Sequence, residues 1–338
     1  MIKRCDNAFV ILGTREDPHV RRVADAMAAH DDIRLEVVDY RTDNQVSVEV
    51  NGDGRFVVTA DNIPLPENVL VWDRLKIIPG TTVYVRGDDH AATGYMAREW
   101  GALFQLISVL YGNRVVNSHK AKRCLLKPYQ QVVASQCGLR VPHTLITNSQ
   151  QQALELLDSS GQGLILKSLS AGKVMPTRDG GSIPFNIMTM RVSRDELAQA
   201  QGTDIACCPH FFQNEISKDH ELRVVMIDGQ PHAYKIDSQK LRSAEVDWRK
   251  GVHLLEYSPA QLPAAIVAQL QMFMTRMGFF SGSIDLIVDR QGTYWFLECN
   301  QDGAWGWLDD LSGGLITQAF VQAFRRRLLS LADEALPT

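Results

Sequence analysis

Residues 296–313 read FLECNQDGAWGWLDDLSG, and this stretch decides how the chain is understood. An apolar run ends in Glu298, Cys299 and Asn300, followed by acids, glycines and two tryptophans, Trp305 and Trp307. The segment leading into it, GSIDLIVDRQGTYWFLECN (282–300), reads as a β-hairpin with Gln291-Gly292 at its turn. A turn centred on that pair sets Asp285 directly opposite Glu298. Facing Cβ atoms on one sheet face lie roughly 4.5–5.5 Å apart, so the two carboxylates repel unless a cation separates them. Asn300, two residues after Glu298, points to the same face and adds a neutral oxygen. Hard oxygen ligands without histidine or cysteine favour Mg²⁺ over Zn²⁺. An Asp and a Glu on a hairpin also suit a solvated face, but the flanking SIDLIV and TYWFLE runs are apolar.

The rest of the chain sets bounds on that reading. Its 338 residues suit two or three lobes rather than one simple core. Apolar content of 45% and charged content of 22% are those of an ordinary globular protein. A net charge of −4 gives no electrostatic case for nucleic acid or an anionic membrane. No run is long enough to span a bilayer, and the N-terminus is too short for a signal peptide. The six cysteines show neither disulfide nor metal-ligand spacing, so a reduced cytoplasm is expected, with Cys207-Cys208 as a pair of small core residues.

Three lobes are expected, at 1–120, 121–208 and 209–338. The first opens as a β-α-β unit: NAFVILG (7–13), a helix opened by Asp17-Pro18 with Val20, Val23, Ala24 and Met27 on one face, then RLEVVDY (34–40). A hairpin (47–60), strands at VLVWDRL (69–75) and TVYVRG (82–87), and a helix near 92–112 complete it. No Gly-x-Gly-x-x-Gly follows the first strand, which argues against a dinucleotide site. The second lobe holds a helix at 124–137 stopped by Gly138, a strand in RVPHTLITNS (140–149) with Ser149 as helix cap, and the strand GLILKSLS (163–170). Lys167 in that last strand is costly unless partnered. Next comes SAGKVMPTRDGGSIPF (170–185), a glycine-bearing loop suited to a lid over phosphates; a snorkelling lysine beside an ordinary loop is the plainer alternative. The third lobe contains FFQNEI (211–216), a hairpin closed at Asp228-Gly229, a helix at 263–278 and the hairpin described above.

A hairpin Asp followed by Glu-x-Asn, two lysines before and within the central lobe, and Glu-x-Arg after a hydrophobic strand together resemble the ATP-grasp fold. MAREW (96–100), GLRVPHTLITN, FFQNEISKDHELRV, VDWR (246–249) and FLECNQDGAWGWLDDLSG resemble one branch of it. That branch is the ribosomal-peptide maturases that build graspetides such as the microviridins. The resemblance implies an α/β (α+β) ATP-grasp fold of three lobes, with a β-α-β pre-ATP-grasp domain and nucleotide bound between the central and C-terminal lobes. It further implies that Lys127 and Lys167 reach the ATP phosphates, that backbone groups of Gln213, Asn214, Glu215 and Ile216 read adenine, and that Glu221 takes the ribose hydroxyls. Asp285, Glu298 and Asn300 would hold Mg²⁺. Arg223 and Arg249 would lie near the γ-phosphate and the reacting carboxylate, with Lys167 completing the catalytic set. A surface ion pair with Asp247 is the alternative for Arg249. Cys299-Asn300-Gln301 departs from the expected pattern at its first and last positions, and the glycine loop is idiosyncratic.

The implied reaction is ATP-dependent activation of Asp or Glu side chains of a ribosomal precursor peptide, leader plus core. Attack by Ser, Thr or Lys then closes ω-ester or ω-amide rings. A cytoplasmic enzyme follows from this, with room for a homodimer and no nucleic acid or membrane partner. Two alternatives stand beside it: an ATP-grasp ligase joining separate substrates, and a silent nucleotide-binding protein. Trp305 and Trp307 either wall the site or pack the loop against the last helix.

Overall fold

A computed structural model of the chain describes residues 7–39, 45–66, 68–74, 90–118, 121, 126–161, 163–169, 173–174 and 185–331. The N-terminal lobe runs β1 (Asn7–Leu12), α1 (Pro18–Met27), β2 (Arg34–Val38), β3 (Val46–Val50), β4 (Phe56–Ala60), β5 (Ile63–Pro64), β6 (Asn68–Asp73), α2 (His90–Tyr111) and β7 (Val115–Val116). Strands β2-β1-β6-β7 form a sheet whose pairs are all parallel. Both its faces are buried, which is why NAFVILG is a continuous apolar run rather than an alternating one. Phe9, Ile11, Leu70 and Trp72 face α1; Ala8, Val10, Val69 and Val71 face Phe104 and Ile107 of α2. Asp17 caps α1 through the His19 N–H, and Val20, Val23, Ala24 and Met27 are its buried face, as expected. The strand expected at 82–87 lies outside the described residues.

The central lobe runs α3 (Lys127–Gln136), β8 (Thr144–Thr147), α4 (Gln150–Ser160), β9 (Leu164–Lys167), β10 (Lys173–Val174), β11 (Phe185–Asn186), β12 (Met190–Val192), α5 (Arg194–Gln199), α6 (Gly202–Ala206) and β13 (His210–Asn214). Ser149 caps α4 as expected. The strand order β12-β9-β13-β8 shows that β13, expected to open the third lobe, belongs to the central sheet. Side chains alternate across it: Leu164 and Phe212 pack against α4, α5 and α6, while Ile165, Lys167 and Gln213 face the other way. The base of the glycine loop is a two-stranded antiparallel ribbon, β10-β11; its interior lies outside the described residues. Cys207 and Cys208, expected in the core, are both exposed. The buried residue of short α6 is Ile205, and the chain has turned outward by the two cysteines that follow.

The C-terminal lobe runs β14 (Lys218–Ile227), β15 (Gln230–Ile236), β16 (Tyr257–Ala260), α7 (Ala264–Met277), β17 (Ser281–Asp289), β18 (Tyr294–Asn300), α8 (Gly306–Leu311) and α9 (Leu315–Ser330). Strands β16-β15-β14-β17-β18 form one antiparallel sheet. Asp228 and Gly229 both have positive φ, 48° and 75°, as a two-residue hairpin turn requires. One face of the sheet (Leu222, Val224, Ile284, Leu286, Phe296) packs under α7 and also under α3, so that helix shares the C-terminal core. The other face is divided. Val225 and Ile227 pack with α9 against the N-terminal sheet, whereas Glu221, Arg223 and Asp285 lie farther along the same strands. Burying one half and charging the other leaves a polar sheet end turned toward the central lobe.

Candidate active site

The charged half of the C-terminal sheet and the polar face of the central sheet flank an open cleft. Lys127, Lys167, Gln213, Asn214, Glu215, Ile216, Glu221, Arg249, Asp285 and Glu298 all line it. Ten of the twelve expected site residues, from five parts of the chain, therefore meet. Two do not line it. Arg223 is buried behind Asp285, and Asn300 is exposed at the end of β18, where its amide oxygen accepts from the Asp302 N–H at 3.1 Å.

Asp285 does pair with Glu298, but not for the expected reason. The turn is centred on Gln291, with Asp289 N–H donating to Thr293 O and Gly292 in the left-handed region. Near that turn Leu286 pairs with Phe296, a register that would set Asp285 against Leu297. A β-bulge makes Leu297 the extra residue and brings Glu298 onto Asp285. The error in the turn and the bulge cancel.

The edge strand β18 is covered by α3 and the chain after it. Gln130 brackets Cys299, accepting from its N–H at 2.7 Å and donating to its carbonyl at 3.0 Å. Arg140 accepts the Phe296 N–H through its carbonyl. No local pattern marked Gln130; its role follows from the packing of α3 alone.

Cations surround the paired carboxylates. Lys127 Nζ lies 3.2 Å from Glu298 Oε2, and Arg223 donates to Asp285 Oδ1 at 2.8 Å. Burial pushes the Asp285 carboxyl up by more than Arg223 pulls it down, and the Glu298 charge adds to the rise. Burial also opposes ionisation of Glu298, but Lys127, Lys167 and Arg249 hold it below its ordinary value. Lys167, half-buried, donates to Gln213 Oε1 at 2.8 Å, and burial lowers it to about 8, with Glu298 holding it up and Lys127 and Arg249 pushing it down. Its partner is thus neutral, and its charge is left to face the cleft.

Each residue of VDWR has a place. Val246 O accepts from Lys218 Nζ at 3.2 Å, and Lys218 in turn holds Glu221 at 2.7 Å. Burial raises Glu221, against the pull of Lys218. Asp247, buried, grips the Arg249 guanidinium through two bonds of 2.8 and 2.7 Å and accepts from the Thr189 N–H. The ion pair with Asp247 and the place in the cleft are therefore compatible, since the pair aims Arg249 inward. Trp248 lies beneath the Arg223 guanidinium, 5.8 Å from its ring centre.

Trp305 and Trp307 pack rather than line the cleft. Trp305 is 1% exposed and lies against Phe320 of α9 and the His19 ring. Trp307 rests on Trp248 and Tyr257. His19 Nε2 accepts the N–H groups of Trp305 and Gly306 at 3.0 and 3.2 Å, while its Nδ1 meets Asp17 at 2.6 Å. Arg74 completes the chain with a 3.0 Å bond to Asp17. One residue before Trp305, the Ala304 carbonyl accepts from Arg223 at 3.1 Å. The loop after β18 is thereby tied to the N-terminal lobe at one end and to Arg223 at the other. Gly303 permits this approach, since a Cβ there would fall 2.5 Å from Ser283 Cβ and 2.8 Å from the Arg223 guanidinium.

The facing carboxylates suit a hard divalent cation: they are oxygen donors on one face, backed by a fixed guanidinium and opening on a cleft lined by lysines. Asn300 would join them through its side-chain oxygen. At the other end the Asn214 and Glu215 N–H groups are engaged by His143 O and Gly163 O. The Asn214 amide oxygen is buried and without a hydrogen-bond partner among the described residues.

No protein-family model matches the chain, and no curated protein does. Solved structures match along nearly its whole length. A RiPP-associated ATP-grasp ligase from Chryseobacterium gregarium, in complex with ADP and a leader and core peptide, superposes with a TM-score of 0.79 at 21% identity, covering 95% of this chain and 97% of that one. The macrocyclase MdnC from Microcystis aeruginosa, bound with precursor peptide MdnA, gives 0.78 at 24% identity over 95% and 99%. The ATP-grasp ligase PsnB, complexed with a phosphomimetic variant of a minimal precursor, Mg and ADP, gives 0.71 at 20% identity over 95% and 99%. The chain has the fold of these ATP-grasp ligases. No helix among its described residues is long and apolar enough to cross a membrane.

Proposed function

We propose that the protein is an ADP-forming carboxylate ligase that closes rings within a ribosomal precursor peptide, a leader followed by a core. The observation that carries the ligase reading is the cleft itself, where Asp285 and Glu298 face each other among Lys127, Lys167 and Arg249. A triphosphate brings several negative charges, and these lysines and the guanidinium are the groups that would meet it. Mg²⁺ held by Asp285, Glu298 and Asn300 would neutralise phosphate charge and leave the nucleotide poised for displacement.

Within this reading the chain's residues divide the work. Lys127 and Lys167 bind phosphate oxygens. Glu221, fixed by Lys218, meets the ribose hydroxyls. Because the Asn214 and Glu215 N–H groups are engaged, base recognition falls to the Gln213–Ile216 carbonyls, the Ile216 N–H and the Asn214 amide oxygen. A substrate carboxylate oxygen attacks the γ-phosphorus and ADP leaves, giving an acyl phosphate. A hydroxyl or amine then attacks the acyl carbon, loses its proton and expels phosphate. Arg249, aimed by Asp247, stabilises the charge that develops. Arg223 holds Asp285 and the Ala304 carbonyl and acts through them, as a positioning residue. The ribbon β10-β11 lies at the base of the segment that would close over the acyl phosphate and exclude water.

The choice of a peptide substrate is supported by the V-D-W-R segment and the tryptophan-bearing loop, which here brace Arg223 and Arg249, and by the peptides bound in the three similar structures named above. Asp and Glu carboxyls activated this way would react with Ser or Thr to give ω-esters or with Lys to give ω-amides. A homodimer and a cytoplasmic location accord with this reading. ADP release tests it. Release should rise when a leader-bearing peptide with a core rich in Thr, Ser, Asp, Glu and Lys is added. Release stimulated only by a pair of free amino acids would mean a ligase of separate substrates, and no release under any addition a silent binder.

A further inference from the structure

Two adjacent cysteines on a protein surface are unusual, because thiols are among the most buried side chains. Cys207 and Cys208 are both exposed, and His210 follows two residues later. Local backbone turns all three toward one point. Adjacent residues of an extended chain point to opposite sides, but Cys207 caps α6 with helical torsions, φ −64° and ψ −28°, and so curls its thiol toward Cys208. Cys208 and His210, two apart at the entry to β13, share a side. Pro209 between them restricts the backbone.

The resulting distances are those of a coordination shell. Cys207 Sγ lies 3.9 Å from Cys208 Sγ, and Cys208 Sγ lies 3.9 Å from His210 Nε2. All three ligand atoms fall within 4.8 Å of one another. A tetrahedral ion with metal–sulfur bonds of ~2.3 Å and metal–nitrogen bonds of ~2.0–2.1 Å needs S···S and S···N edges of roughly 3.8 and 3.6 Å. Two edges thus match within a few tenths of an ångström, and side-chain rotation closes the third. The Cys207 thiol is also oriented, donating to Asp204 O at 3.0 Å.

We propose that Cys207, Cys208 and His210 form a second metal site, for a thiophilic divalent cation such as Zn²⁺, with water in the fourth position. It is separate from the oxygen donors of the cleft, and soft thiolate ligands exclude Mg²⁺ from it. Cysteine binds a metal as its thiolate, so occupation of the site releases protons. The site ties the end of α6 to the start of β13, the strand that carries Gln213 and through it Lys167.

Cobalt is the probe. The reduced, metal-stripped full chain is titrated with Co²⁺ in saturating Mg²⁺, so that oxygen sites are filled. A thiolate-to-cobalt charge-transfer band should grow to saturation at equimolar cobalt and disappear when Zn²⁺ displaces it. Cys208→Ser should abolish the band, and His210→Ala should weaken cobalt affinity by about tenfold or more, the loss expected on disturbing a metal ligand. Cys207 and Cys208 are exposed, so the serine variants keep the fold, and His210 is half-buried beside Phe212, so its variant is checked by thermal unfolding. Absence of the band, or a band that survives in the Cys207→Ser, Cys208→Ser double variant, overturns the proposal.

Discussion

Asp285 lies opposite Glu298 because Leu297, between Phe296 and Glu298, is an extra residue in its strand. In an unbroken ladder Glu298 would pair with Ile284 and point into the apolar core beneath α7. The bulge converts a core position into a ligand position, facing Asp285, which on its other side pairs with Arg223 of β14.

The two carboxylates should separate on mutation. Glu298→Gln should lower Mg²⁺-dependent ATP turnover by about 10²–10³-fold, the usual loss for one electrostatic stabiliser, with Tm almost unchanged. Asp285→Asn should lose turnover similarly but also lose stability, because Arg223 is then a buried charge without its partner. Turnover and Mg²⁺ dependence equal to the parent in both variants would remove the metal from this hairpin.

Lys167 supplies a pH signature. Lys167→Met keeps the apolar stem and deletes the charge, so ADP affinity measured by calorimetry should fall by ~1–3 kcal/mol. In the parent, the ammonium is lost as pH rises through about 8, below the range of a free lysine. Phosphate binds the charged form better, so affinity should weaken above that pH by at most about tenfold per unit. Lys167→Met should lack this decline. An unchanged affinity, or the same decline in the variant, would return Lys167 to a snorkelling role.

His19 should matter to a site it does not touch. His19→Phe leaves the Trp305 and Gly306 N–H groups buried without their acceptor, which costs about 1–3 kcal/mol for each unsatisfied donor. Thermal unfolding would register this. Turnover should fall more than ADP affinity, since the loop also carries the Ala304 carbonyl that holds Arg223. Equal stability in the variant would mean that the loop is held by Trp305 packing alone.

Local pattern carried much of the fold. NAFVILG, the Asp17-Pro18 cap, the Asp228-Gly229 turn and the Gly278 helix stop each act within a few residues, and each is found where expected. Site residues on strands were legible because a charge inside an apolar run is conspicuous, as with Lys167 and Asp285. What escaped depends on distant partners. His19 and Trp305 are 286 residues apart, Gln130 and Cys299 are 169 apart, and no periodicity connects them. The bulge at Leu297 left no mark in composition either. The resemblance set Arg223 near the reacting groups, but no local pattern showed that its guanidinium is engaged by Asp285 on the neighbouring strand and by the Ala304 carbonyl. Cys207-Cys208 was misplaced because burial was inferred from residue type without the turn that ends α6.

The central claim is intramolecular ring closure, and mass spectrometry tests it most directly. A leader-bearing precursor peptide, sought as a short reading frame rich in Thr, Ser, Asp, Glu or Lys beside this chain's gene, is incubated with the enzyme, ATP and Mg²⁺. Each ester or amide formed removes the elements of one water from the peptide, the oxygen leaving with the expelled phosphate, so its mass should fall in successive steps of about 18 Da as ADP accumulates. A peptide whose mass instead rises by that of an added amino acid, or stays constant while ADP accumulates, would contradict the account.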